Sequence, residues 1–206
     1  MLQRILVWDI PTRVFHWSLA LSFAGAYLTA ESERYRDIHV ALGYLLFGLI
    51  GFRLVWGFVG TAYARFGSFR FSLAQVVAYL RSLLSSQPQH YIGHNPAGAL
   101  AIFLLLALGL LISVSGVGLY WELGDEDLFE ELHEIAANLM LAVVFIHIAG
   151  VVLSSVLHKE NLVRSMFTGY KMAKSGQFSI EHSYPWLALI MLVIMAAFLV
   201  FYLSPA

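Results

Sequence analysis

The 206-residue sequence contains no cysteine, and only 12% of its residues are charged. The absence of cysteine excludes disulfides, thiolate metal sites, iron–sulfur clusters and covalently attached c-type haem. Histidine therefore becomes the leading candidate ligand for a transition metal. Soluble domains carry about 25% charged and about 45–50% apolar residues, whereas 60% of this chain is hydrophobic. The composition predicts an integral membrane protein.

Five apolar windows are long enough to be predicted as membrane spans, since a spanning helix needs roughly 20 mostly apolar residues. They cover residues 14–30, 38–59, 97–119, 133–157 and 186–203. We therefore predict an all-α integral membrane protein with one domain over residues 1–206. Residues 60–96 also contain an amphipathic helix, because Ser72 and Gln75 have capping-box spacing and an apolar stripe follows them. We expect this helix to lie on the membrane surface.

Basic residues are distributed unequally between the two sides of the predicted membrane. Only Arg34 and Arg36 lie on the side that holds the first and third loops. The side of the N-terminus holds Arg4, Arg13, Arg65, Arg70, Arg81, Lys159, Arg164, Lys171 and Lys174. The positive-inside rule then predicts a cytoplasmic N-terminus and a periplasmic C-terminus in a bacterial inner membrane. The periplasmic side collects the acidic residues Glu31, Glu33, Asp37, Glu122, Asp125, Glu126, Asp127, Glu130, Glu131 and Glu134.

Four histidines lie within the predicted spans or at their ends, where ionisable residues are costly and usually functional. His133 and His147 are fourteen residues apart in the fourth span, which places them about 21 Å apart along one helix face. His16, at the cytoplasmic start of the first span, matches the depth of His147. His39, at the periplasmic start of the second span, matches the depth of His133. The pattern predicts two bis-histidine b-type haems, a ligand set suited to electron transfer.

Other interpretations of these residues are available. A membrane histidine can serve only as an interhelical hydrogen-bonding group, and a mononuclear metal site would need three or four ligands at one depth. Arg53 and Arg13 are predicted to neutralise haem propionates, with snorkelling to the interface as the alternative. Met140 lies midway between the two histidines of the fourth span and is expected to pack between the cofactors. Interfacial belts are expected at Trp8, Trp17, Trp56, Trp121 and Trp186.

Three segments carry a family resemblance: VWDIPTRVFHW at the start, FRLVWGFVGTAYARF after the second span, and GHNPAGA before the third. Together they resemble the bacterial hydrogenase-type di-haem cytochrome b family, over essentially the whole chain. Its relatives include the cytochrome b subunits of nickel–iron hydrogenases and, more distantly, of formate dehydrogenase. The resemblance implies a four-helix bundle holding two haem b groups, plus a fifth transmembrane helix. It also implies that His16 pairs with His147 on the cytoplasmic-side haem, and His39 with His133 on the periplasmic-side haem.

The formate dehydrogenase relatives also place a quinone near the inner haem, beside an asparagine–small–glycine turn. The corresponding stretch here is GHNPAGA, which has an inserted proline. The resemblance implies that His94, Asn95 and Gly98 bind quinone, with His94 able to pass a proton. Alternatively, Asn95 caps the third helix with Pro96 at its first position. The two roles of Asn95 can coexist.

The predicted function is transmembrane electron transfer between a periplasmic redox partner and the membrane quinone pool. The partner is a hydrogenase, another oxidoreductase or a cytochrome c, docked on the acidic outer face. Lipid and quinone are further partners, no nucleic acid is expected, and a homo-oligomer is left open. Whether the chain is itself an enzyme is undecided. The alternative function is that of a superoxide:ubiquinone oxidoreductase acting at the periplasmic surface. Such an enzyme would require a cationic outer face to attract superoxide, whereas this outer face is acidic. A haem-free transporter with a histidine proton relay is the third alternative, and it would have no visible spectrum.

Overall fold

The computed structural model describes residues 2–69, 71–85 and 87–204, so Arg70 lies outside the described residues. Its elements in chain order are β1 (Leu2–Leu6), α1 (Ile10–Thr29), α2 (Arg36–Val59), α3 (Leu73–Ser82), α4 (Pro96–Tyr120), α5 (Glu126–Leu157), α6 (Leu162–Thr168), β2 (Tyr170–Lys174) and α7 (Pro185–Leu203). Short 3₁₀ turns occupy Glu33–Tyr35 and Phe66–Ser68. The long helices alternate in direction. We call the end where α1 and α4 begin the inner end, and the end where α2 and α5 begin the outer end.

The long helices form a bundle in which α1 packs on α2, α2 on α4, and α4 on α5. Helix α7 packs on the outside of α1 and α2. The centre of the bundle is filled by side chains from four helices, namely Phe23, Leu46, Ile50, Ile112, Ala136 and Met140. Helix α5 lies close to α4 along its length, whereas α1 and α2 meet α5 mainly through side chains. The predicted four-helix arrangement with an additional helix therefore matches the packing.

Four segments of the described chain are long and apolar enough to cross a membrane, which makes this a membrane protein. They are Glu33–Val59, Pro96–Tyr120, Glu126–Leu157 and Pro185–Leu203. Helix α1 has sufficient length with 20 residues, but it is not among the four. Thr12, Arg13 and His16 lower its hydropathy. A fifth span therefore stays a prediction.

Helix α5 begins at Glu126, seven residues before the predicted start at His133. Asp125 caps it, because the Asp125 side chain accepts a hydrogen bond from the backbone N–H of Leu128 at 3.1 Å. The prediction that this acidic stretch is a loop was wrong, since Glu126 to Glu131 form the first turns of α5. Hydropathy marks only the lipid-facing length of a helix, whereas the cap marks its actual start.

A two-stranded antiparallel sheet corrects the all-α prediction. Strands β1 and β2 pair from Leu2 opposite Lys174 to Leu6 opposite Tyr170. Buried side chains of Ile5 and Ala173 support the pair from one face. An isolated two-stranded sheet is marginal, and five-residue strands give little periodic signal in a sequence. The sheet connects the N-terminus to the segment that follows α6.

Helix α3 has the predicted capping box. Ser72 Oγ accepts from Gln75 N at 3.2 Å, and Gln75 Oε1 accepts from Ser72 N at 2.9 Å. The helix buries Val76 and Tyr79, and Tyr79 Oη lies 3.3 Å from Ser154 Oγ of α5. The remaining apolar residues Leu73, Val77, Leu80 and Leu84 are exposed. Their exposure is compatible with a position on the membrane surface, which stays a prediction.

Asp9 is fully buried and joins the start of α1 to the end of α2. Its Oδ1 caps α1 by accepting from Thr12 N at 2.7 Å. Its Oδ2 accepts from Trp56 Nε1 at 3.3 Å and from the Thr61 hydroxyl. Trp56 is buried by this contact and Trp8 is buried nearby, so the interfacial-belt prediction was wrong for these two tryptophans.

We expect Asp9→Ala to lower the free energy of unfolding by about 2–4 kcal/mol. The lost helix cap costs about 1 kcal/mol, and the buried donors left without an acceptor cost about 1–3 kcal/mol. Thermal unfolding of the detergent-solubilised protein, followed by tryptophan fluorescence, measures the change. The matched control is Asp127→Ala, at an exposed aspartate in the first turn of α5. Equal unfolding temperatures for the two variants would contradict this role of Asp9.

Candidate functional site

Two histidines meet at the outer end of the bundle. The ring centroids of His39 on α2 and His133 on α5 lie 6.1 Å apart, with 63° between the ring planes. Two imidazoles bound to one metal ion through metal–nitrogen bonds of roughly 2 Å have centroids about 6 Å apart. The separation of the two rings therefore suits a single metal ion between them.

Backbone carbonyls fix the orientation of both outer rings. His39 Nδ1 lies 2.9 Å from the carbonyl oxygen of Ala26, and His133 Nδ1 lies 2.9 Å from that of Ile112. A carbonyl oxygen only accepts hydrogen bonds, so each Nδ1 carries the proton and each Nε2 of the neutral ring keeps a free lone pair. Metal-binding histidines usually donate their second N–H in this way. The outer pair thus presents two Nε2 ligands in the correct tautomer.

Helix α4 supplies the surface on which His133 rests. Ser115 Oγ lies 3.2 Å from His133 Nδ1 and also donates to the carbonyl of Leu111. A Cβ atom at Gly116 would lie 2.9 Å from His133 Cε1, so only glycine leaves room for the ring in this position. Ser115 and Gly116 were not among the site residues predicted from the sequence. The run of small residues SVSG was the only signal for them.

The inner pair is less closely joined. His147 on α5 lies near enough to His16 on α1 for the two side chains to interact electrostatically. The His16 ring packs edge-on against Trp17 at 5.0 Å, and its Nδ1 is buried without a hydrogen-bond partner in the described chain. The rings of the outer histidines therefore lie 6.1 Å apart, and the inner histidines lie within the range of an electrostatic interaction.

Two arginines at the inner end have buried N–H groups without acceptors in the described residues. Arg53 is 3% exposed, donates through Nη2 to the carbonyl of Ala64 at 3.0 Å, and leaves Nη1 unpaired. Its guanidinium lies over the Phe66 ring at 4.7 Å. Arg13 donates through Nη1 to the carbonyl of Phe167 and leaves Nε unpaired. Unpaired buried donors are costly, and the carboxylates of a bound group would satisfy them. Propionate binding by the two arginines fits these observations and stays a prediction.

The buried polar side-chain atoms without a partner lie together. Within the described residues they are Thr12 Oγ1, Arg13 Nε, His16 Nδ1, Trp17 Nε1, Arg53 Nη1, His94 Nδ1 and Glu160 Oε1. All belong to residues at the inner end, where α1 and α4 begin and where α2 and α5 end. Native proteins rarely leave such atoms unpaired. The inner end therefore has the polar groups that a bound polar molecule would require.

The predicted quinone residues are occupied by local structure. Asn95 Oδ1 accepts from Gly98 N at 2.7 Å, which confirms the capping role of Asn95 at the start of α4. The His94 ring packs between Trp8 at 4.7 Å and Phe69 at 4.5 Å. Burial, and then the charge of Arg53, lowers the pKa of His94 to about 3. His94 is thus neutral at physiological pH and can form a hydrogen bond without storing a proton.

Met140 lies at the centre of the bundle, between the two histidine levels. It is 2% exposed and packs with Phe23 of α1 and with Leu46 and Ile50 of α2. Its burial is compatible with the predicted position. Contact with two cofactors stays a prediction.

The structure brings two histidine rings together at the outer end. The described residues contain no group of three or more His, Asp or Glu side chains placed to hold a metal ion. Residues 7–169 of the chain match the family of prokaryotic cytochrome b561. The chain belongs to this family. A b-type cytochrome takes haem, and a ligand set of two neutral imidazoles with nearby cations is chemically suited to it.

Several relatives of this cytochrome b561 are named as probable Ni/Fe-hydrogenase B-type cytochrome subunits. The protein of Rhizobium leguminosarum bv. viciae is 28% identical over 221 aligned positions, which cover 85% of this chain and 92% of the relative. That of Azotobacter vinelandii is 28% identical over 222 positions, covering 84% and 90%. The hydrogenase 1 subunit of Escherichia coli K12 is 24% identical over 218 positions, covering 84% and 93%. No solved structure matches the chain.

We expect Gly116→Val to reduce the haem content of this cytochrome b561 by up to about half, because the added side chain displaces His133 from its seat. The reduced-minus-oxidised absorption spectrum per protein measures the loss. Gly48→Val is the matched control, since a Cβ at Gly48 has no atom within 4 Å. Unchanged haem content and redox midpoints in Gly116→Val would rule out this role of Gly116.

Proposed function

We propose that this cytochrome b561 carries electrons across the membrane between a periplasmic redox partner and the quinone pool. His16 and His147 would hold one haem b at the inner end, and His39 and His133 would hold a second at the outer end. The observation that supports this proposal most directly is the outer histidine pair, His39 and His133. Their rings lie 6.1 Å apart, and both Nδ1 atoms lie near backbone carbonyls. Bound haem with two imidazole ligands supplies a one-electron iron couple and leaves no open position for oxygen.

The chain's own residues would orient the ligands and insulate the path. The carbonyls of Ala26 and Ile112 hold the outer imidazoles in the ligating tautomer. Apolar side chains fill the bundle between the two histidine levels and exclude water there. The unpaired N–H groups of Arg13 and Arg53 would neutralise carboxylates at the inner end. These roles are the ones a protein contributes when its cofactor carries the chemistry.

The outer face offers a surface for a basic redox partner. Trp121 and Leu123 are exposed between α4 and α5. Exposed carboxylates surround them at Glu122, Asp125, Glu126, Asp127, Glu130 and Glu131. An apolar centre with a charged rim is the usual anatomy of a transient interface. The names of the relatives favour a nickel–iron hydrogenase as this partner. Superoxide is an anion that the same carboxylates repel, so we do not propose superoxide oxidation.

The cytoplasmic side is proposed for the inner end, with the N-terminus, because the basic residues collect there. Quinone is proposed to bind near His94, Asn95 and Gly98. The unpaired Nδ1 of His94 supports this assignment, as does the amide nitrogen of Asn95, which the helix cap leaves free. A neutral His94 would serve as a hydrogen-bonding group for a quinone oxygen.

We expect His133→Ala and His147→Ala each to lower the haem content from about two to about one per chain, because a single imidazole does not retain the group. Redox titration of the purified variants should show loss of a different wave in each. His182→Ala, at an exposed loop histidine, should behave as the unchanged protein. Loss of the same wave from both variants would contradict the assignment to two levels. Folded, purified protein that has no visible haem spectrum even after production with added haem would instead favour the transporter alternative.

We expect Glu126→Gln combined with Glu130→Gln to slow electron exchange with a basic soluble cytochrome c by about three- to tenfold at low salt. Screening should remove most of the difference at high salt, since the Debye length falls to about 3 Å at 1 M. Stopped-flow absorbance measures the rate. The control is Glu181→Gln, an exposed carboxylate at the inner end. A rate independent of both substitutions and salt would argue against docking on this face.

A further inference from the structure

A groove of about 770 Å³ lies between the last turns of α5 and helix α6. Two valines of α5, Val152 and Val156, form one wall, and Val163 and Phe167 of α6 form the other. Lys159 and Arg164 also line the groove. The volume is within the range of about 300–1,000 Å³ that small-molecule sites have.

The walls of the groove are apolar and open. Val156 is 69% exposed and Phe167 is 60% exposed. Within each wall the two residues are four positions apart, so each pair forms a stripe along one helix face. Val152 and Val156 lie in the last two turns of α5, which ends at Leu157, and Lys159 lies two residues beyond that end. Because α5 is long and apolar enough to cross a membrane, we expect its valine stripe to lie at membrane depth and the two cations to lie near the membrane surface.

The two cations are the groove's free polar groups. No described carboxylate lies within salt-bridge distance of Lys159 or Arg164. Glu160 also lines the groove, but its Oε2 pairs with His90 Nε2 at 3.0 Å and with Lys171 Nζ at 3.3 Å. The charge of Glu160 is thus paired with Lys171, and its Oε1 has no hydrogen-bond partner within the described residues. Lys159 and Arg164 keep their positive charges without a described carboxylate partner.

The remaining polar side chains of the groove are engaged locally. Ser155 Oγ donates to the carbonyl of Val151 at 2.7 Å. Asn161 Oδ1 caps α6 by accepting from Arg164 N at 2.7 Å. Neither side chain competes with a ligand for the two cations. The groove therefore combines apolar walls with a net positive charge.

We propose that this groove binds an anionic phospholipid, with acyl chains along the valine stripes and the phosphate between Lys159 and Arg164. Basic pockets beside transmembrane helices attract anionic headgroups, and a phosphate accepts charge-assisted hydrogen bonds from both side chains. A quinone headgroup is neutral and gains little from two cations, so the charges favour phospholipid. The lipid site goes beyond electron transfer and does not depend on the number of haems or the direction of electron flow.

Native mass spectrometry of the full-length, haem-loaded protein tests the proposal. We expect phosphatidylglycerol to bind about tenfold more tightly than phosphatidylcholine, and Lys159→Gln with Arg164→Gln to remove that preference. The control is Arg81→Gln with Lys174→Gln, which removes two exposed charges from the same side outside the groove and should keep the preference. Haem content should be unchanged in both double variants, which separates this outcome from any failure of the electron-transfer proposal.

Val163→Trp is a second variant, which fills the groove without changing its charge. This variant should bind phosphatidylglycerol about tenfold more weakly, or weaker still. In a separate measurement on the unchanged protein, inorganic phosphate should not compete with the lipid. Equal binding of the two lipids to the unchanged protein would overturn the proposal. So would full competition by inorganic phosphate, which would indicate an anion site without lipid. If Val163→Trp weakened the binding of a short-chain quinone but not the binding of phosphatidylglycerol, the groove would be assigned to quinone instead.

Discussion

The geometry of the outer site depends on hydrogen bonds that run from histidine rings to the backbone of a neighbouring helix. His133 on α5 donates to the Ile112 carbonyl on α4, and His39 on α2 donates to the Ala26 carbonyl on α1. In an α-helix the Ile112 carbonyl also faces the N–H of Gly116, four residues later. The absence of a side chain at Gly116 lets the imidazole reach this oxygen. Each contact therefore connects the position of a ligand to the packing of two helices.

The two ends of the bundle differ in how far their buried polar groups are hydrogen-bonded. At the outer end the histidine Nδ1 atoms have partners, and Trp121 Nε1 donates to Tyr44 Oη at 2.9 Å. At the inner end, Asp9 joins α1 to α2, and Lys171 joins Glu160 to the carbonyls of Tyr91 and Ile92. Beside these networks lie atoms of His16, His94 and the two arginines that have no partner within the described residues. The inner end thus combines a hydrogen-bonded framework with polar groups whose missing partners a bound molecule would supply.

The charged residues also differ between the outer and inner ends of the bundle. The exposed carboxylates around the start of α5 suit contact with a soluble basic partner, whereas the cations Lys159 and Arg164 suit contact with anionic headgroups. The net charge of −1 conceals both. A single helix, α5, carries an acidic start and two histidines, and Lys159 follows two residues after its end, so the orientation of α5 in the bilayer places each group at a different depth.

The sequence by itself determined the features that follow local rules. Hydropathy located the four apolar helices, helical periodicity placed His133 and His147 on one face, and capping patterns located α3 and the start of α4. The Asp-Ile-Pro-Thr start of α1 carried the same capping information at Asp9. Only the tertiary structure decided the contacts that join distant segments. These contacts are the β1–β2 pairing, the Trp56–Asp9 hydrogen bond, the packing of His133 on Gly116 and the Glu160–Lys171 ion pair. In each of them, the local sequence around one residue does not indicate which distant residue it contacts. Such contacts form because helix packing brings buried donors and acceptors together, and a buried polar group must find a partner wherever the fold provides one.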